Sequence, residues 1–432
     1  MEAEGTLTDN TLLDFYKEHL EKVLLPFWKL AVDKDNGGVF TCFNNTGGQL
    51  ISHDKYTWSQ GRYIWIWSRI ARLCEKGLIN DSPQFYIDQA KKTVDFLWEH
   101  AILPNGHCAF ILTKDGTPKE SQPGAGYDTS FYADCFVIVG FSEYARATGD
   151  IETLNKALQI YDTVKRRVRS HNFRSEPYPI PVGLEAHSVP MILLNVSQEL
   201  LEGLKTVNHN WESEIKKDCE YFADQILNKF RLEDGRIAEM TNINTEQYND
   251  TILMRHFNPG HTIEDMWFLI HLSFQLDKPE WIDLAVESIQ KALELGWDEQ
   301  YGGLLRFVDR EGGQPRGKVS GVPYEKLIVD TWDTKLWWPH SEALYGTLLA
   351  KRLTDDSNWD AWYQTMHNYI FNTFPNPNKI IGEWIQIRDR KGNPINKLVA
   401  LPVKDPFHII RDVLLIIELL GTPKLFLRGQ AK

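Results

Sequence analysis

Apolar residues recur at helical spacing over 58–73, 130–147, 190–204, 259–276, 335–353 and 406–420. Between these stretches lie more polar helical patterns, such as 85–98 and 212–228. A turn with short apolar flanks precedes each apolar stretch. Asp33-Lys34-Asp35-Asn36-Gly37-Gly38-Val39 resembles Asp298-Glu299-Gln300-Tyr301-Gly302-Gly303-Leu304. Pro104-Asn105-Gly106, Glu233-Asp234-Gly235 and Ile381-Gly382-Glu383 are turns of the same kind, and a looser proline-rich break covers 177–183. The turns lie roughly 50–80 residues apart, the mark of a repeated unit. Such a unit cannot bury its apolar helix alone, so neighbours must stack. The pattern predicts an all-α fold, an (α/α)6 toroid of six helical hairpins with the apolar helices inside. Short β-hairpin turns would form the rim, and residues 1–432 would make a single domain. An open solenoid and a two-domain helical protein share this periodicity. If the inner helices run in one direction, their N-termini converge on one face, where helix dipoles favour anionic groups and depress histidine pKa values.

Composition narrows the class of partner. Hydrophobic residues make up 42% and charged residues 25% of the 432, the mixture of an ordinary globular protein. Net charge is −12 with no basic patch, which argues against nucleic acid and anionic membranes and for a small-molecule ligand. The N-terminus, MEAEGTLTDN, is too polar for a signal peptide, and no apolar run is long enough to span a bilayer. Cys42, Cys74, Cys108, Cys135 and Cys219 are scattered without a CxxC, which points to a cytoplasmic protein with free thiols and no structural zinc.

Two helix starts share a design. Asn258-Pro259-Gly260-His261 and Asp405-Pro406-Phe407-His408 each read as an N-cap, a proline at the first helical position, then a histidine at the third. Both histidines should point to the convergent face, where a neutral imidazole serves as a base near pH 7. A histidine there can equally cap or pack a helix end. Glu264, three residues after His261, shares its helix face and could orient it or bind a sugar hydroxyl. One HxxE does not make a two-metal site, and no metal is expected. Arg62 opens the first inner helix among Tyr63, Trp65 and Trp67, so it needs a carboxylate or a ligand oxygen as partner. His187 and His340 precede or open further inner helices, and either could line the site or serve structure alone. Tyr56, Trp58 and Trp338 offer flat faces suited to a sugar ring. Gly312-Gly313-Gln314-Pro315-Arg316-Gly317-Lys318 fits GxxxxGK, but Val319 follows instead of Ser or Thr, so it reads as a solvated loop.

Several longer stretches then resemble a known family. They are Lys55-Tyr56-Thr57-Trp58-Ser59-Gln60-Gly61-Arg62, Phe110-Ile111-Leu112-Thr113-Lys114-Asp115-Gly116, Ala145-Arg146-Ala147-Thr148-Gly149, and Val189-Pro190-Met191-Ile192-Leu193-Leu194-Asn195. Asn258-Pro259-Gly260-His261-Thr262-Ile263-Glu264, Lys335-Leu336-Trp337-Trp338-Pro339-His340-Ser341-Glu342-Ala343 and Phe407-His408 continue the series in order. The chain resembles the N-acylglucosamine 2-epimerase (renin-binding protein) family over nearly its whole length. The resemblance implies a barrel of six α/α hairpins, a homodimer, and no metal or other cofactor in the chemistry. It also implies a nucleotide such as ATP as an allosteric activator. It places a histidine pair at His261 and His408, an arginine at Arg62 and a glutamate at Glu264. Two features depart from the family pattern. His187 stands where the N-acyl epimerases carry a small apolar residue. Leu401-Pro402-Val403-Lys404-Asp405-Pro406-Phe407 replaces a Gly-Gly-Pro-Phe-Lys-Gly-Cys-like run.

The expected activity is therefore interconversion of N-acyl-D-glucosamine and N-acyl-D-mannosamine, by deprotonation and reprotonation at C2 of the ring-opened sugar. His187, Trp58, Tyr56, Trp338 and His340 are the expected substrate-binding residues. Epimerisation or aldose–ketose isomerisation of unmodified mannose-like sugars is the alternative that His187 suggests. A toroidal glycoside hydrolase would instead need two carboxylates, such as Glu264 with Glu342 or Glu383. A lectin-like binding module would need neither pair.

Overall fold

The computed structural model of the protein describes residues 8–243, 246–354, 356–398 and 401–422. Within these, the apolar stretches form the inner helices Thr57–Glu75, Phe131–Thr148, Ser188–Thr206, Pro259–Leu276, Trp337–Leu353 and Phe407–Gly421. Each packs on the next, and the last packs on the first, so the ring is closed. The outer layer comprises Pro83–His100, Ile151–Arg169, Glu212–Gln225, Glu280–Gly296 and Asn358–Thr373, with the chain's first helical segment, Asp9–Leu30, as its sixth member. Part of that segment, Asp9–Glu18, packs on Phe407–Gly421. The two ends of the chain thus complete one hairpin.

Inner and outer helices differ as their sequences do. Phe131–Thr148 is buried on nearly every face. Ile151–Arg169 buries only a stripe containing Leu154, Ala157, Ile160, Tyr161 and Val164. Its start is set by Asp150, whose carboxylate accepts from the Thr153 backbone N–H at 3.1 Å. The first two inner helices pack closely because Gly61 and Gly140 face each other's backbone. A Cβ at Gly61 would lie 2.2 Å from the Phe136 carbonyl oxygen, and one at Gly140 2.3 Å from the Gly61 oxygen. That approach fixes the depth of Arg62, the next residue.

The rim carries the short strands. Tight turns close on themselves at Val32–Val39, Ile102–Cys108, Arg231–Ile237 and Trp297–Leu304, as the glycine turns predict. The longer pairings link different units. Lys55–Tyr56 pairs antiparallel with Ile111–Leu112, Leu184–Ala186 with Met240–Asn242, His256–Phe257 with Val308–Asp309, and Lys335–Leu336 with Ile387–Arg388. Each strand that enters an inner helix is thereby tied to the following unit. The two matching turns also share a lock. Buried Lys55 reaches Asp33 at 2.8 Å and the Gly37 carbonyl at 2.7 Å; buried Lys335 reaches Asp298 and the Gly303 carbonyl, each at 3.1 Å.

Candidate active site

At the N-terminal ends of the inner helices lies a cavity of about 200 Å³. His261, His408, Arg62, Glu264, Trp58 and Trp338 all line it. All six inner helices therefore deliver side chains to one place, Phe131–Thr148 contributing Tyr132 and Phe136 and Ser188–Thr206 contributing Met191 and Asn195.

His261 is set by its helix cap. The Asn258 side chain accepts from the His261 backbone N–H at 3.3 Å, and Pro259 occupies the first turn. The imidazole is about a quarter exposed, and its Nδ1 lies 2.9 Å from Glu239 Oε2. A carboxylate only accepts, so Nδ1 carries the proton and the neutral ring keeps its lone pair on Nε2. Glu239 is buried. Burial alone would raise its carboxyl, but His261 and His187 outweigh that and hold it well below the ordinary range.

His408 repeats the arrangement in a drier setting. Its Nδ1 donates to Glu342 Oε1 at 2.6 Å, again leaving the lone pair on Nε2. Burial pulls this imidazole down to about 3, with Arg62 and Arg411 adding to the effect against Glu264. Its helix starts one residue later than the sequence pattern predicts, with Pro406 in the cap position. The Asp405 carboxylate nevertheless caps it, accepting from the Phe407 backbone N–H at 2.8 Å.

The other oxygen of Asp405 binds Arg62 Nη1. The guanidinium packs against the rings of Phe136, Trp58 and Phe407, 4.1, 4.8 and 4.9 Å from their centroids. Burial lowers Arg62 to about 10 despite Asp405, so it remains charged near neutral pH. Its Nη2 stands 3.4 Å from His408 Nε2. A cation donor and a base lone pair thus meet at one point on the cavity wall.

Glu264, Glu342 and His408 place ligand atoms within 4.8 Å of one another, a spacing that would suit a cation. Arg411 already fills that role. Its Nη2 binds Glu264 Oε1 and, at 2.5 Å, Glu342 Oε1, and lies 3.3 Å from His408 Nδ1. The same closeness weighs against an inverting hydrolase, whose carboxylates stand about 6.5–9.5 Å apart. Glu383 lies elsewhere, buried against Trp28 Nε1 and Gln386.

Three expected substrate-binding residues are not on the cavity wall. His187 is fully buried behind it, with Nε2 2.7 Å from Asp265; its neighbours Ala186 and Ser188 line the cavity instead. It sits between two carboxylates rather than facing ligand. His340 is a rim tie, accepting from the Leu304 backbone N–H at 2.9 Å and donating to the Leu336 carbonyl at 2.6 Å. Tyr56 packs edge-on to Phe110 beneath the rim strands. Sequence reasoning missed Glu239, Arg411 and Asp405's grip on Arg62. Two signals were present. Glu239 follows the Gly235 turn by four residues, and His408-x-x-Arg411 mirrors His261-x-x-Glu264. The second pairs of these two motifs, Glu264 and Arg411, meet across the site.

The N-acylglucosamine 2-epimerase (GlcNAc 2-epimerase) family matches residues 38–411. The chain belongs to this family. It is 28% identical over 427 residues to N-acylglucosamine 2-epimerase of Mus musculus, covering 95% of this chain and 93% of that one. It is 29% identical over 413 residues to the Homo sapiens protein of the same name, covering 94% and 89%. The structure of cellobiose 2-epimerase from Bacillus thermoamylovorans superposes with a TM-score of 0.72 at 20% identity, covering 95% and 100%. The family resemblance and the α/α toroid read from the sequence are both borne out. Among the described residues no helix is long and apolar enough to cross a membrane.

Proposed function

We propose that the protein is a sugar 2-epimerase that interconverts N-acyl-D-glucosamine and N-acyl-D-mannosamine, with His261 and His408 as the two proton carriers. One observation carries this reading. Two imidazoles in one cavity are each anchored through Nδ1 on a buried carboxylate, each with Nε2 left to accept a proton. Both pack on the indole of Trp338, with centroids 5.3 and 5.6 Å away.

In the ring-opened sugar, the C2 proton is acidified by the C1 carbonyl. One histidine removes it through Nε2, and Arg62 Nη2 supports the charge that develops on the C1 oxygen. One well-placed donor of this kind is worth about 10²–10³-fold in rate. The other histidine delivers a proton to the opposite face of C2, which inverts that centre. Glu264 accepts from a sugar hydroxyl, and Trp58 and Trp338 cover the sugar's faces. On the helix Ser188–Thr206, Met191 and Asn195 share a face toward the cavity, with Phe268 from the helix Pro259–Leu276 also on the wall. An apolar wall with one carboxamide suits an acetamido group. With His187 off the wall, its argument for unmodified hexoses lapses.

No step requires a metal or organic cofactor. The scattered cysteines and the net charge of −12 support a cytoplasmic protein without a nucleic-acid or membrane partner, and the family resemblance adds a homodimer and a nucleotide activator. Sedimentation, and turnover with and without ATP, check these points.

The test is proton NMR of N-acetylmannosamine and of mannose with the enzyme in heavy water. The expected result is N-acetylglucosamine deuterated at C2, with mannose a poor substrate. Formation of a ketose, or no exchange at C2, would overturn the reading.

A further inference from the structure

The two carboxylates that anchor the histidines are themselves backed by cations, and the cations differ. Glu342 is backed by Arg411, which cannot lose its charge near neutral pH. Glu239 is backed by His187. The buried series runs from Asp265 Oδ2 to His187 Nε2 at 2.7 Å, from His187 Nδ1 to Glu239 Oε1 at 3.6 Å, and from Glu239 Oε2 to His261 Nδ1 at 2.9 Å. His187 Nδ1 and Glu239 Oε1 have no hydrogen-bond partner, so each is left to the other. The backbone holds this alignment, because the His187 N–H donates to the Glu239 carbonyl at 2.9 Å where the rim strands pair.

We propose that His187 is a positioning residue: as an imidazolium between Asp265 and Glu239, it offsets the carboxylate on which His261 is anchored and leaves His261 free to take up and release a proton. This rests on His261 being a proton carrier.

The chemistry of the surroundings supports the charged state. Burial alone would lower His187, but Asp265 and Glu239 raise it to about 9. Glu264 also faces Asp265 and adds negative charge. His256 faces Glu239 as a neutral ring, lowered by burial with its Nδ1 on the Leu253 carbonyl. Tyr132 and Tyr324 also face Glu239, and burial keeps both hydroxyls protonated. Phe230 packs on the His187 ring at 5.7 Å and contributes no charge. Without the imidazolium, two carboxylates would act on His261 unopposed. Anionic neighbours favour the protonated imidazole, which lacks the lone pair a base needs.

The experiment combines ¹⁵N-histidine NMR with pH–rate profiles on wild type, His187→Gln, Glu239→Gln and the double variant. In wild type, one histidine should remain an imidazolium up to about pH 9, and that signal should be missing in His187→Gln. The acid limb of kcat/KM should move up by about one pH unit in His187→Gln. kcat at pH 7 should fall by several-fold and no more than about 10-fold, with KM changed little. Loss of Glu239 should make the second substitution nearly silent, since His187 acts through it. Burial pulls Lys335 and Lys404 down to about 8, so alkaline effects count only where His187→Gln removes them. No imidazolium above pH 8 in wild type, an unmoved acid limb, or multiplying effects in the double variant would overturn the inference. Failure of the parent reading looks different: His261→Asn would keep its turnover while the His187 imidazolium signal persisted.

Discussion

The helix starts at His261 and His408 read almost alike in sequence, yet the protein builds two different histidine environments from them. His261 is partly exposed and rests on Glu239, backed by a titratable imidazole. His408 is buried and rests on Glu342, backed by a permanent guanidinium, with a second arginine at its Nε2. The common part is the Nδ1–carboxylate anchor, which fixes tautomer and ring direction in both. The difference lies in which cation stands behind the anchor. A reversible 2-epimerase must run both directions, so in the proposed mechanism each histidine is base for one epimer and acid for the other. Two environments can make the carriers unequal while keeping that reversibility.

The strongest way to break this comparison is to remove each carrier in turn. His261→Asn and His408→Asn should each cut net turnover by at least about 10²-fold. Each variant should still exchange the C2 proton of one epimer with heavy water, and the two variants should retain opposite epimers. Exchange of both epimers by either variant would show that one histidine serves both faces.

Next come the anchors. Glu342→Gln removes one of the three carboxylates around buried Arg411, and breaking such a pair costs about 3–5 kcal/mol. Glu239→Gln leaves His187 on Asp265 and should cost clearly less. Urea unfolding of both variants at pH 7.5 measures the difference; equal losses would mean the two arms are equally stiff.

Of the two backing cations only His187 answers pH, and with opposite sign from His408. His187 is raised from 6.5 to about 9, so its stabilisation is complete below pH 6.5 and lost as pH rises through 9, about 3 kcal/mol in all. His408 is lowered from 6.5 to about 3, so it weakens the fold as pH falls from 6.5 toward 3. The stability gap between wild type and His187→Gln should therefore be widest near pH 6 and shrink by pH 9.5. A gap independent of pH would remove the titratable arm. The smallest expected effect is that of chelation. With Arg411 seated among Glu264, Glu342 and His408, exhaustive EDTA treatment should leave turnover unchanged, and rescue by a divalent ion would refute that.

Much of this was legible in the chain. Helical spacing marked the six inner helices, and glycine turns marked the rim, because both are local consequences of backbone geometry. The caps before His261 and His408 are local too, and they aim both rings at the cavity. His340 and Tyr56 also stand at inner-helix starts, without such caps, and went elsewhere, to tie Leu304 and Leu336 and to pack on Phe110. Position at a helix start gives direction along the axis, but the face of the helix decides between cavity and rim.

By itself, then, the sequence determined the repeat and the pair of histidine-bearing helix starts. Only the tertiary structure decided that the ring closes, and which charge stands next to which imidazole. Glu239 is 22 residues from His261, Glu342 is 66 from His408, and Asp405 is 343 from Arg62. No periodicity spans such separations. A buried charge takes whichever partner the closed ring brings within reach, and that partner sets the proton affinity on which the chemistry depends.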